Sequence, residues 1–213
     1  IFARLIMPRL NKRWLHAHKK DIFFNLAAQE GMRSRSVYKL SEIDQKFNLL
    51  SPGMKVLDLG SSPGGWSQYV SSKLGRHGKV LAVDMQEMKP IKNVRFLHGN
   101  VTDNAIYSKI QEEMPKIDLV LSDMAPNISG IPSVDQPKSI FLVELAIDLA
   151  ANILVQSGSM LVKIFHGEGF EGTVAKTKSI FNKVRIFKPK ASKALSKEVY
   201  ILATSLKGIN TNE

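Results

Sequence analysis

Cysteine is absent from the 213 residues, which excludes disulfides, thiolate metal sites and any mechanism that runs through a cysteine nucleophile. The lack fits a reducing compartment, and a cytoplasmic protein is expected. Long apolar runs are missing too: no window approaches the roughly 18 consecutive apolar residues of a membrane span, so a soluble chain without membrane contact is expected. Acids are scarce. Asp and Glu number 19 against 30 Lys and Arg, a formal charge of +11 with a pI near 9.8. That balance favours polyanions as partners, and a merely basic surface would have the same composition. The imbalance is steepest between Glu171 and Glu198, where no acid occurs beside Lys176, Lys178, Lys183, Arg185, Lys188, Lys190, Lys193 and Lys197.

With 44% hydrophobic residues and no internal repeat or low-complexity linker, the chain has enough apolar content to bury one core, and a single main domain is expected. Ile1 to Met7 is too short for a secretory signal and has no small-residue cleavage site. Met7 is expected to be the natural start, with residues 1–6 an upstream read. Arg9, Lys12, Arg13, His16, His18, Lys19 and Lys20 surround Trp14, a composition suited to phosphate contacts with stacking or to a solvated helix face. The division expected is a basic N-terminal extension over 1–32, the main domain over 33–206 and a frayed tail over 207–213.

Helical patterns are predicted over about Asp21 to Glu30 and Arg33 to Phe47, where Leu40, Ile43 and Phe47 share a face. After Pro52-Gly53 the pattern alternates. Strands are predicted at Lys55–Leu59, Lys79–Asp84, Val94–His98, Ile117–Ser122, Ser159–Phe165, Val184–Phe187 and Glu198–Thr204. Helices are predicted at Gly65–Leu74, Asp103–Met114, Pro137–Val155 and Phe170–Asn182. The alternation implies an α/β fold, a mostly parallel seven-stranded sheet with helices on both faces. The last two strands have no helix between them and are expected to pair antiparallel.

What the first strand leads into is Asp58-Leu-Gly-Ser-Ser-Pro-Gly-Gly-Trp-Ser67, which reads as strand end, tight turn and helix start. A P-loop would require Gly-Lys-Ser/Thr, and the lysine is missing. The dinucleotide fingerprint would require Gly-x-Gly, and Ser62-Pro63 stands there instead. An acid inside the strand, a compact turn and a second acid, Asp84, ending the next strand suit a ligand with an amino-acid part and a ribose, whose hydroxyls Asp84 would hold. S-adenosylmethionine is such a ligand.

The same run resembles the cofactor loop of the FtsJ-type ribose 2′-O-methyltransferases. Arg33-Ser-Arg-Ser-Val-Tyr-Lys-Leu40, Leu121-Ser-Asp-Met-Ala-Pro-Asn127, Val162-Lys-Ile-Phe-His-Gly-Glu-Gly169 and Ser196-Lys-Glu-Val-Tyr200 are similar to that family's other motifs, in the same order, from about Lys12 to Ser205. The resemblance implies a Rossmann-like class I S-adenosylmethionine-dependent methyltransferase fold over 33–206. It also implies a catalytic tetrad of Lys39, Asp123, Lys163 and Glu198. Cofactor contacts are expected at Asp58, Gly60, Gly64, Gly65, Trp66, Asp84, Asn100 and Asp123. Asn100 stands where the bacterial enzymes have Asp; its carbonyl can still accept from an adenine amino group. No metal is expected.

The residue types suit this chemistry. Sulfonium is already a good leaving group, so the protein mainly aligns a hydroxyl with the methyl carbon and manages one proton. Lys163 is the candidate for the proton-accepting or steering amine; burial and the Lys39 charge favour its neutral form, and the acids on either side oppose it. Asp123 would orient Lys163, Lys39 would position the hydroxyl or a neighbouring phosphate, and Glu198 would orient the lysines. Asp123-Met-Ala-Pro-Asn127 lacks the aromatic clamp of amine methylation, and base-carbon methylation generally needs a cysteine adduct, so a sugar hydroxyl remains.

A 2′-hydroxyl implies RNA. Lys12, Arg13, Arg33, Arg35, Lys193 and Lys197 are the expected RNA contacts. Family members act on large-subunit ribosomal RNA, transfer RNA or messenger caps. The compact length and the Ser-Ser-Pro-Gly-Gly-Trp loop favour the first, with a uridine of 23S ribosomal RNA in the large ribosomal subunit implied by resemblance. Transfer RNA, or a catalytically silent RNA-binding assembly factor, are the alternatives. A monomer is expected.

Overall fold

A computed structural model describes residues 21–193 and 195–208. Two helices precede the sheet: α1 (Ile22–Gln29), whose N-terminus is capped by the Asp21 carboxylate, and α2 (Val37–Phe47), which ends on a left-handed Asn48. The alternating part follows as β1 (Lys55–Leu59), α3 (Gly65–Leu74), β2 (Lys79–Asp84), β3 (Val94–His98), α4 (Asn104–Glu113), β4 (Ile117–Ser122), α5 (Pro132–Ile153), β5 (Leu154–Phe165), α6 (Phe170–Ile180), β6 (Phe181–Phe187) and β7 (Glu198–Leu206). One seven-stranded sheet results, in the order β3-β2-β1-β4-β5-β7-β6. Strands β1 to β5 pair in parallel, and β7 runs antiparallel to both β5 and β6. The expected α/β class and the antiparallel closing pair are therefore present.

Alternation along each strand sends its side chains to two separate cores. Val56, Leu119, Leu121, Leu161, Tyr200 and Leu202 pack under α2 and α3 with Leu40, Ile43, Trp66 and Val70. Leu57, Leu59, Val120, Val162, Val199 and Ile201 pack on the other face with Ile106, Ile110, Ile147 and Val174 of α4, α5 and α6. Both faces are covered, as a parallel sheet requires.

Several boundaries differ from the sequence reading: α2 starts at Val37 instead of Arg33, β7 runs to Leu206 instead of Thr204, and three elements start early. Helix α5 starts at Pro132 instead of Pro137: Pro132 occupies the first helical position, where a missing N–H costs nothing. Asp135 then accepts from the Ser129 and Gly130 amides at 2.8 and 2.9 Å. Strand β5 begins at Leu154 instead of Ser159, extending through the polar Gln156-Ser-Gly158 stretch past a register irregularity opposite Ile117 and Leu119. Strand β6 begins at Phe181, three residues before the predicted Val184, because that ring is buried as soon as α6 ends. Among the described residues no helix is long and apolar enough to cross a membrane.

Candidate active site

Strand order reverses at β1, which lies between β2 and β4; open α/β sheets bind their ligands outside the carboxyl ends of the strands at such a point. A cleft of about 260 Å³ opens there, with Gly60, Asp84, Asn100, Asp123 and Asn127 in its wall. Gly60 has φ +73°, and a Cβ on it would stand 2.6 Å from Met124 Cγ and 3.1 Å from Met124 Cα. The turn after β1 can therefore lie against the strand end of β4 only without a side chain. Asp84 closes β2 with both oxygens aimed: Oδ2 accepts the Ser62 amide at 2.8 Å and Oδ1 the Gln86 amide at 2.7 Å. Asn100 Oδ1 accepts the Thr102 amide at 3.0 Å, which fixes the side chain in its loop; a carbonyl oxygen has a second lone pair for a ligand.

Four of the expected cofactor residues, Asp58, Gly64, Gly65 and Trp66, do not line this cleft. Asp58 is 1% exposed, and its Oδ2 accepts from Ser67 Oγ at 2.6 Å. Burial, reinforced by the charges of Asp123 and Asp84 and opposed by Ser67, pushes this carboxyl up to about 7. Trp66 is buried; its Nε1 donates to the Ser36 carbonyl at 2.9 Å and its ring is tilted 5.8 Å from Tyr200. A Cβ on Gly65 would meet Ser34 Oγ, and one on Gly64, at φ +106°, would meet Ile91 and Met88. In this structure these residues hold the turn against α2 and the loop after β2.

The tetrad is assembled as two ion pairs. Lys163, 7% exposed, donates to the Asp123 main-chain carbonyl and stands 3.0 Å from Asp123 Oδ1. Lys39 Nζ lies 2.7 and 2.8 Å from the two oxygens of Glu198. The β5–β7 register explains the convergence: Lys163 is directly opposite Tyr200 and Phe165 opposite Glu198, so Lys163, Glu198 and Tyr200 emerge on one face. Helix α2 packs on that face and brings Lys39. Asp123, just past β4, belongs both to this cluster and to the cleft wall.

Tyr200 completes the cluster and was not picked out in the sequence. Its hydroxyl donates to Asp123 Oδ1 at 2.8 Å, and Lys39 Nζ stands 5.9 Å from its ring centre. Burial, followed by the charges of Asp123 and Glu198, raises the phenol well above its ordinary value, so it stays a donor. The signal was available: Tyr200 follows Glu198 by two, the spacing of one strand face. Ser192 also went unnoticed; its hydroxyl donates to Glu198 Oε1 at 2.7 Å, and no sequence pattern connects it to the strand.

The expected RNA contacts separate into groups. Lys12 and Arg13 lie outside the described residues. Arg33 donates to three main-chain carbonyls. Arg35 pairs with Asp21 and donates to the Ala191 carbonyl. Lys193 is exposed and, with Arg35, Ser36, Lys39, Ser196 and Glu198, lines a second cavity of about 210 Å³. Lys197 is exposed beside it.

A parallel sheet with one reversed strand, an acid at the end of β2 and a lysine and acid pair beside the cleft define the methyltransferase class. Residues 32–206 match the FtsJ-like methyltransferase family, and the chain belongs to it. Over 202 residues it is 48% identical to the ribosomal RNA large subunit methyltransferase E of Legionella pneumophila (strain Lens), covering 94% of this chain and 97% of that one. A structure from Plasmodium falciparum, described provisionally as a ribosomal RNA methyltransferase, superposes with a TM-score of 0.73 at 29% identity, covering 83% of this chain and 99% of that chain. One from Clostridium thermocellum, at 17% identity and a TM-score of 0.54 over 77% of this chain and 97% of that chain, shares the fold.

Proposed function

We propose that this protein transfers a methyl group from S-adenosylmethionine to a ribose 2′-hydroxyl of large-subunit ribosomal RNA, with a uridine of 23S RNA as the nucleotide. The observation that carries the reading is Asp123, which is at once part of the cleft wall and the partner of Lys163 at 3.0 Å. A donor in the cleft and an acceptor at the lysines would thus meet at one residue.

The cleft residues fit the cofactor. Asp84, its oxygens held by two amides, is placed for a ribose diol, Asn100 for an adenine amino group, and the side-chain-free Gly60 for close approach of the ligand to the backbone. When bound, S-adenosylmethionine supplies an electrophilic methyl carbon on a sulfonium. Asp123 holds Lys163 so that its amine faces the acceptor oxygen, either to steer the oxygen lone pair onto the methyl carbon or to take up the hydroxyl proton that the transfer releases, and Tyr200 donates to the same Asp123 oxygen that Lys163 approaches. Lys39, anchored by Glu198, places the acceptor hydroxyl or the adjoining phosphate. Alignment of this kind can contribute on the order of 7 to 11 kcal/mol.

The RNA reading is supported by the Legionella relative and by exposed Lys193 and Lys197 beside the tetrad. A preassembled ribosomal particle would supply further recognition, and the reaction would then be cytoplasmic. The test is incubation with methyl-labelled S-adenosylmethionine and large subunits from a strain lacking this protein, followed by mapping of the label. The expected result is label on one ribose; label confined to transfer RNA, or no transfer, contradicts it.

A further inference from the structure

Arg33 has the charge of an RNA contact and the surroundings of a clamp. One terminal nitrogen donates to the carbonyls of Pro63 at 3.2 Å and Lys89 at 2.6 Å; the other donates to Pro90 at 2.6 Å. Pro63 belongs to the turn between β1 and α3, and Lys89 and Pro90 to the loop after β2. These are the two segments whose neighbouring residues Gly60, Ser62, Asp84 and Gln86 line the cleft. The Arg33 amide donates to Gln68 Oε1 on α3, and Gln68 Nε2 donates back to the Gly31 carbonyl, both at 3.1 Å. The aliphatic stem packs on the turn as well, with Cδ 3.1 Å from the position of a Gly64 Cβ.

A phosphate contact needs a guanidinium turned outward with its fork free. Here three of the five guanidinium N–H groups are committed to uncharged acceptors from two loops, and Arg33 has no ion pair among the described residues. A planar, multiply donating head suits three acceptors in fixed directions, whereas a lysine ammonium cannot reproduce that fork. The segment held this way leads directly into α2. Its Ser36 carbonyl accepts from Trp66, and Lys39 follows three residues later.

We propose that Arg33 is a positioning residue: it ties the turn after β1 and the loop after β2 to the segment that carries Lys39, so that the methyl-donor cleft and the acceptor-side lysine share one geometry. The proposal rests on the reading of the cleft as the S-adenosylmethionine site.

The test measures S-adenosylmethionine affinity by calorimetry for the wild type, Arg33→Ala and Arg33→Lys, on samples whose folded fraction is known from circular dichroism. The salt dependence of binding to a ribosomal RNA fragment is measured alongside. Arg33→Lys keeps the charge, so it remains informative if the alanine variant does not fold. Both variants are expected to lose roughly tenfold or more in cofactor affinity, with no rescue by lysine, while the salt slope of RNA binding stays at the wild-type value. Wild-type cofactor affinity in Arg33→Lys overturns the proposal. So does a salt slope lowered by about 0.7 to 0.9 in Arg33→Ala, the signature of one lost phosphate contact. A wild-type protein that does not bind S-adenosylmethionine overturns the cofactor reading itself, and is distinguished because no variant is involved.

Discussion

Asp58 does not line the cleft, yet its titration is tied to the site through Asp123 and Asp84. Its carboxyl is raised by burial to about 7, so the folded state binds this proton more tightly than the unfolded chain, whose ordinary value is about 3.9. The Asp58 contribution to stability is therefore fully present below about pH 4 and is lost as pH rises through about 7. In the limit it is on the order of 4 kcal/mol. Asp58→Asn keeps an acceptor for Ser67 and removes the titration. Denaturant unfolding at pH 5 and pH 8 is expected to show the wild type losing more stability than Asp58→Asn; equal losses would contradict the assignment. At this scale the sequence was legible only in part. Asp84 and Asp123 could be placed from strand ends, whereas Lys39 lies before the sheet and Ser192 in a loop, so only the folded chain, or a family resemblance, brings them to Glu198.

The strand, turn and helix from Val56 to Leu74 were read correctly in kind, because an apolar run followed by small residues leaves few alternatives. How its turn packs was not legible: Gly64, Gly65 and Trp66 lie against the Arg33 to Ser36 segment, a packing partner remote in sequence. Gly60 is the sharper element-level test, since its positive φ coincides with main-chain atoms of Met124 beside the cleft. Gly60→Ala must shift the residue next to Asp123, and a loss of roughly 1 to 3 kcal/mol in stability is expected. A matching loss of cofactor affinity is expected by calorimetry; a variant with wild-type stability and affinity would show that the turn tolerates a side chain. The early starts of α5 and β5 escaped the sequence for a related reason: Pro132 and the polar Gln156-Ser-Gly158 both look like punctuation until the neighbouring strand and helix are in place.

Across the whole molecule the basic surplus is only partly available to RNA. Lys176 pairs with Asp148 at 2.8 Å and Lys188 donates to the Ser196 carbonyl, so the acid-free stretch from 172 to 197 serves the fold as well as any partner. Exposed Lys193 and Lys197 adjoin the tetrad. The double variant Lys193→Ala/Lys197→Ala is expected to lower the slope of log affinity against log salt by about one to two, and to leave cofactor affinity unchanged. An unchanged slope would remove these lysines from the RNA path. The tetrad is itself a property of the whole fold, because Lys39, Asp123, Lys163 and Glu198 arrive on α2, after β4, on β5 and on β7. In the proposed function this cluster performs the methyl transfer, and the direct measurement is single-turnover transfer by Lys163→Ala, with S-adenosylmethionine affinity measured on the same sample. Transfer is predicted to be nearly abolished while cofactor affinity stays close to wild type; transfer at a near-normal rate would contradict the account.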